Sequence, residues 1–242
     1  MFLKQNLPLI LLLFFKFSFC LKAQNAEEII SKYIEFTGGE KAWKKIKTMA
    51  THGEYKYGGM NFTFTSFSKT PDLYKYSASL NGVSYVQSYN GKQGWKIDAF
   101  NKETKPTELW GTDAVKMANE ADVELESPFI NYKKKGNKIM LEGTDTVDSK
   151  ICFSIKLVRR NKETETYFFS KENFELVTKR SVSKNVEMKN ALIDIFYSDY
   201  RDENGVKIPF KSISKVNGQT ILTSTIEKVE INVPLDDGIF RL

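Results

Sequence analysis

The sequence predicts a mainly β, α+β fold: a strongly curved antiparallel sheet whose concave side is covered by helices. Three observations carry that expectation. Asn-Gly recurs at 81–82, 90–91, 204–205 and 217–218, each time between segments rich in Ile, Val, Thr, Phe and Tyr. Asn-Gly is the strongest short hairpin signal, because a type I′ turn needs positive φ at both central residues. Eleven or twelve strand-like segments follow one another, and so many antiparallel strands seldom stay flat and open. Three amphipathic helical stretches, two before the strands and one among them, need an apolar surface to lie on.

The chain opens on an export pattern. Lys4 precedes an apolar run from Leu7 to Phe19, broken by Pro8, Lys16 and Ser18. The run is too short to span a bilayer and has the form of a secretory signal peptide over residues 1–23, cleaved after Ala23. Cys20 offers the other processing route, a lipid-anchored cysteine, although Phe19 stands where that route prefers a small residue. About 219 of the 242 residues then form a single domain, 24–242.

Ala26–Phe36 is expected to be a helix with Ile29, Ile30, Tyr33 and Ile34 on one side, stopped by Gly38-Gly39. A second short helix is expected over Glu40–Lys47, turning Trp43 and Ile46 inward. Strands follow at about 48–57, 60–69, 72–80, 83–90 and 94–98. Within Asn61–Ser68, Phe62 and Phe64 share a face that Phe67 does not, which predicts either a bulge or a strand apolar on both sides. Helical spacing returns from Thr112 to Leu125, with Trp110, Ala114, Met117, Ala118 and Ala121 roughly on one side. Further strands are expected at about 137–145, 149–159, 163–170 and 174–183. Three long strands then occupy Ala191–Val233, and Asp236-Asp237 reads as a turn before a final short strand.

Composition excludes several functions. Losing Lys4, Lys16 and Lys22 takes the 36 basic residues to 33 against 30 acidic ones, a weak footprint for nucleic acid. The densest basic cluster, Lys133-Lys134-Lys135 with Lys138, reads first as a solvated loop and second as a docking patch for an acidic partner or anionic membrane. One histidine, His52, and one mature cysteine, Cys152, assemble no ordinary zinc site. Both read as strand residues rather than nucleophile or base. Asp199, Asp202 and Glu203 miss the calcium-loop spacing, and neither a Gly-rich phosphate loop nor a G-x-S-x-G elbow occurs. No cofactor, no metal and no catalytic residue is expected.

Five stretches carry a resemblance: AEEIISKYIEFTGGEKAWKKIKT, YNGKQGWKIDAF, INYKKKGNKIMLEG, SDYRDENGVKIPFK and IEKVEINVPLDDGIF. In this order, after an export signal, they resemble the bacterial LolA-like proteins, the outer-membrane lipoprotein-sorting group. GGEKAWKKIKT and DYRDENGVKIPF are the most specific parts. The resemblance implies a half-barrel of about eleven antiparallel strands around helices. It also implies a periplasmic monomer whose apolar cavity shelters lipid or lipoprotein acyl chains, with inner- and outer-membrane lipoprotein machinery as partners. Trp43, Phe62, Phe64, Trp95, Trp110, Met117 and Phe129 are the candidate cavity residues. An envelope sensor or scaffold module that binds another protein is the alternative use of such a fold. A hydrolase built on an unmarked carboxylate pair is a more remote class.

Overall fold

The computed structural model describes residues 25–124, 127–183 and 190–242, so the export segment and Cys20 lie outside them. Among the described residues thirteen strands form one antiparallel sheet. They are β1 Thr48–Tyr57, β2 Met60–Lys69, β3 Leu73–Leu80, β4 Val83–Asn90, β5 Gly94–Asp98, β6 Glu103–Glu108 and β7 Lys138–Val147. The rest are β8 Lys150–Val158, β9 Thr164–Ser170, β10 Leu176–Val182, β11 Leu192–Glu203, β12 Val206–Val216 and β13 Gln219–Ile231. The order is β6-β5-β4-β3-β2-β1-β13-β12-β11-β10-β9-β8-β7. Two meanders therefore meet where β1 pairs β13, and β6 and β7 remain as free edges of an open half-barrel.

The turns follow the residues that permit them. Asn81-Gly82, Asn204-Gly205 and Asn217-Gly218 have positive φ at both positions, as do Gly58-Gly59 and Asp148-Ser149. At Asn90-Gly91 only the glycine is left-handed, and the Asn90 side chain instead accepts from the amides of Lys92 and Gln93 to close a longer turn.

Three helices cover the concave face. In α1 (Ala26–Phe36), capped by Asn25 accepting from the Glu28 amide at 2.9 Å, Ile29, Ile30 and Tyr33 pack on Phe153, Ile155 and Leu157 of β8 and Phe169 of β9. The second helix, α2 (Glu40–Trp43), is shorter than its pattern predicts. Its Ala42 and Trp43, with Ile46 just beyond, pack over β1, β12 and β13 through Met49, Val206 and Ile208. The third, α3 (Gly111–Glu124), lays Ala114, Met117 and Ala121 on Tyr74 and Leu109.

The two stretches that carry the resemblance most specifically meet in space. Gly38 has φ +109, and a Cβ there would stand 2.1 Å from the Gly205 carbonyl oxygen. Beside it the Lys207 amide donates to the Thr37 carbonyl at 3.0 Å. The helix-stopping glycine thus lets α1 abut the β11–β12 turn.

Two further expectations change. Strand β6 went unforeseen: its ETKPTE sequence has no apolar alternation and all six residues are exposed. The final segment Asp237–Phe240 is a 3-10 turn rather than a strand. It packs on β3 and β4 and buries Phe240 completely, and Lys69 holds the approach through the Leu235 carbonyl at 2.7 Å and Asp237 at 2.6 Å. Of the two forms expected for β2 the structure takes the strand apolar on both sides: it pairs in register along its length, with Phe62 and Phe64 on one face and Phe67 on the other. The bulge lies in β13 at Glu227, the residue skipped where the pairing steps from His52–Lys228 to Gly53–Ile226 of β1. A Cβ at Gly53 would come within 2.2 Å of the Thr225 carbonyl oxygen, so the close approach requires glycine.

Candidate binding cavity

Between the helices and the concave face is a cavity of about 360 Å³. Its apolar walls include Met49 of β1, Phe64 of β2, Leu176 of β10, and Ile208 and Phe210 of β12. Tyr33 of α1, Trp43 of α2 and Phe129 of the 127–129 loop close it from the helical side. Phe129 is 2% exposed and locked by rings: 4.8 Å from Tyr167, 5.6 Å from Phe169 and 6.1 Å from Tyr33, all edge-on. Trp43 is fixed by its indole N–H, which donates to Thr37 Oγ1 at 3.1 Å.

Of the residues the sequence singles out, Trp43, Phe64 and Phe129 line this cavity. The other four do not. Phe62 is on the same face of β2 but stacks on Tyr55 at 4.8 Å and meets the exposed Phe100 ring at 5.9 Å. Met117 is spent in the packing of α3 on the sheet. Trp110 is 71% exposed, one residue ahead of the helix whose face it was expected to share. Trp95 turns away because its neighbour Gly94 faces Leu109 and Met117, and successive strand residues point to opposite faces.

Sequence reasoning missed the polar part of the lining. Six tyrosines reach the cavity: Tyr33, Tyr74, Tyr76, Tyr167, Tyr197 and Tyr200. Burial pushes the Tyr33 phenol up to about 12 and raises Tyr167 and Tyr200 well above their ordinary value, so all three stay neutral donors. Tyr200 donates to the Leu176 carbonyl at 2.8 Å, and Tyr167 to Glu165 Oε2 at 3.0 Å. Strict alternation hides two of the lining pairs. A register shift between Leu176 and Thr178 brings Leu176 and Lys179, three apart, to the same side. Across Asp199, whose φ is +57, Tyr197 and Tyr200 do the same.

Charge enters through Lys179 and Lys207, and no carboxylate lines the cavity among the described residues. Burial works against the charge on Lys179, but Tyr197 and Glu165 more than offset it and hold the ammonium above its ordinary pKa. Lys207 lies at the other side, its Nζ 4.7 Å from the centre of the Phe36 ring. With Tyr197 and Tyr200 it also lines an adjoining recess of about 340 Å³ beside Glu175 and Asp199.

The other residues considered earlier have structural roles. Cys152 is fully buried against Val147, Phe168 and Val177, and burial raises its thiol pKa, the reverse of an activated nucleophile. His52 Nδ1 meets Thr65 Oγ1 at 3.2 Å. Asp202 accepts from the Gly205 amide at 3.0 Å, and Asp199 pairs with Arg201 at 2.6 Å. In the lysine run, Lys133 reaches Glu27 of α1 at 2.8 Å and Lys135 reaches Asp122 of α3 at 2.5 Å. That loop is stapled across two helices.

No family model and no curated protein sequence matches the chain. Solved structures match in shape over nearly their full length. A DUF1329 family protein from Desulfovibrio piger is 12% identical, covers 90% of this chain and 98% of its own, and gives a TM-score of 0.60. A LolA superfamily protein from Nitrosomonas europaea is 13% identical over 91% of this chain and 99% of that one, at 0.56. An outer-membrane lipoprotein-sorting protein domain from Vibrio parahaemolyticus is 8% identical over 89% and 95%, at 0.57. Identity this low speaks for architecture alone, and in architecture the chain is similar to these proteins, a LolA superfamily member among them.

Proposed function

We propose that the chain is a carrier of the bacterial cell envelope that shelters the acyl chain of a lipid or lipoprotein in its central cavity. The observation that carries this reading is the cavity itself, walled by Met49, Phe64, Leu176, Ile208 and Phe210 and closed by Trp43 and Phe129. Burying hydrocarbon yields about 0.8 kcal/mol per CH₂, so a long acyl chain gains on the order of 10 kcal/mol without any reaction or cofactor. The export pattern at the amino terminus supports an envelope setting, and the lipoprotein-sorting domain of the same fold supports an acyl ligand. Catalysis has no part in the reading.

Native mass spectrometry of the protein purified from its own envelope, followed by solvent extraction, tests it. A discrete adduct of acyl-lipid mass that leaves with organic solvent is expected. A bare polypeptide mass under gentle ionisation, together with failure to take up any acyl probe, would favour a module that binds another protein.

A further inference from the structure

We propose that the cavity selects a single long-chain carboxylate, a fatty acid, and that Lys179 anchors its carboxylate group. The inference rests on the acyl-binding reading above and names the ligand class of that same site. Lys179 ends a row of alternating charges whose most buried member, Arg159, stands at its middle. Lys135 pairs with Asp122 at 2.5 Å, Asp122 with Arg159 at 3.0 Å, Arg159 with Glu165 at 3.0 Å, and Glu165 with Lys179 at 3.2 Å. Three cations share two carboxylates, and Lys179, the cation at one end, opens on the cavity. Glu120 and Asp72 flank the row; burial raises both carboxyls, an effect at Glu120 that Lys116, 3.8 Å away, and Lys179 partly offset.

An ammonium has three donors, and among the described residues Glu165 takes one of those on Lys179. The site is built, since Arg159 is only 6% exposed and holds the Glu165 carboxylate that orients Lys179. Two lysines and no acid line the cavity among the described residues, with Glu165 paired to Lys179 from behind. An uncharged ester would leave the cavity-facing side of that ammonium unanswered, whereas a carboxylate would meet it with a charge-assisted hydrogen bond. Size points the same way. A cavity of about 360 Å³ stands near the lower end of the roughly 300–1,000 Å³ that hold a drug-sized ligand, which suits one chain with a compact head.

Titration of the purified, delipidated protein with cis-parinaric acid and with its methyl ester separates the two levels of the claim. The wild-type protein is expected to bind the acid roughly ten- to a hundredfold more tightly than the ester, the range of one hydrogen bond to a charged group. In Lys179→Met the preference is expected to vanish while ester affinity holds, and in Lys179→Arg and Lys207→Met it is expected to persist. Ester affinity serves as the folding control for each variant. Equal wild-type affinity for acid and ester would overturn the carboxylate anchor and leave the acyl cavity standing. A preference that survives Lys179→Met, or is lost in Lys207→Met instead, would overturn the role of Lys179. Binding of neither probe would remove the acyl reading, and this inference with it.

Discussion

Gly38 shows how much of the architecture hangs on single residues. Its φ of +109 and the Gly205 carbonyl oxygen 2.1 Å from any added Cβ leave no room for a side chain. Gly38→Ala should therefore cost about 3 kcal/mol or more in urea denaturation, from left-handed strain and overpacking together. Gly39→Ala, at φ +86 and ψ 155 in a region adopted almost solely by glycine but facing open space, should cost less, about 1–3 kcal/mol. Glu165 makes a pH-dependent case. Burial alone would raise its carboxyl, but Lys179 and Arg159 reverse that and hold it below 4.5. A depressed carboxyl stabilises the fold above its unfolded pKa, and the stabilisation is lost as pH falls through the folded value. Glu165→Gln should thus be destabilised at pH 7, with the gap to wild type closing as both are titrated below about pH 4.5. At this scale the aromatic lining was partly legible, since Trp43, Phe64 and Phe129 announce themselves as large apolar residues. Lys179 and the Tyr197–Tyr200 pair were not, because a bulge and a left-handed aspartate break the two-residue period that sequence reading relies on.

Among the elements, the hairpins were the most legible because turn chemistry is local: three of the four Asn-Gly pairs are two-residue turns with both residues left-handed. Strand β6 was illegible for the opposite reason. An exposed edge strand has no buried face to impose alternation, and Pro106 within it marks a position tolerated chiefly at edges. Pro209 obeys the same rule less visibly, since that part of β12 pairs with β11 while the ladder to β13 begins only at Lys211. Hydrogen exchange should order the sheet accordingly, with β6 amides exchanging first and those of β1, β2 and β13 among the last. Equal protection across β6 and β1 would contradict the assigned edge. The 3-10 turn at Asp237–Phe240 is a second test, since it packs on β3 and β4 with Phe240 fully buried. Phe240→Ala should destabilise by about 3–5 kcal/mol in the same denaturation assay, a cost that an unpacked terminus would not show.

For the whole molecule, the open edges at β6 and β7 and the three covering helices make a half-barrel rather than a closed one. Its core is divided into the clusters beneath α1, α2 and α3 and a fourth around Cys152, and the cavity is the space between the helix-covered ones. Curvature and helical cover were legible from strand number and helix placement; where the helices leave space is set by long-range packing that no local pattern records. A ligand that fills the cavity binds the folded state alone, so acyl ligand at a hundred times its Kd should add about 2.7 kcal/mol and raise Tm by roughly 5–10 °C. The most direct test of the account is a crystal structure with a fatty acid brominated along its chain. Anomalous bromine peaks are expected between Trp43, Leu176 and Phe210, with the carboxylate at Lys179. Bromine confined to the outer surface, with the central cavity unoccupied at saturating ligand, would contradict it.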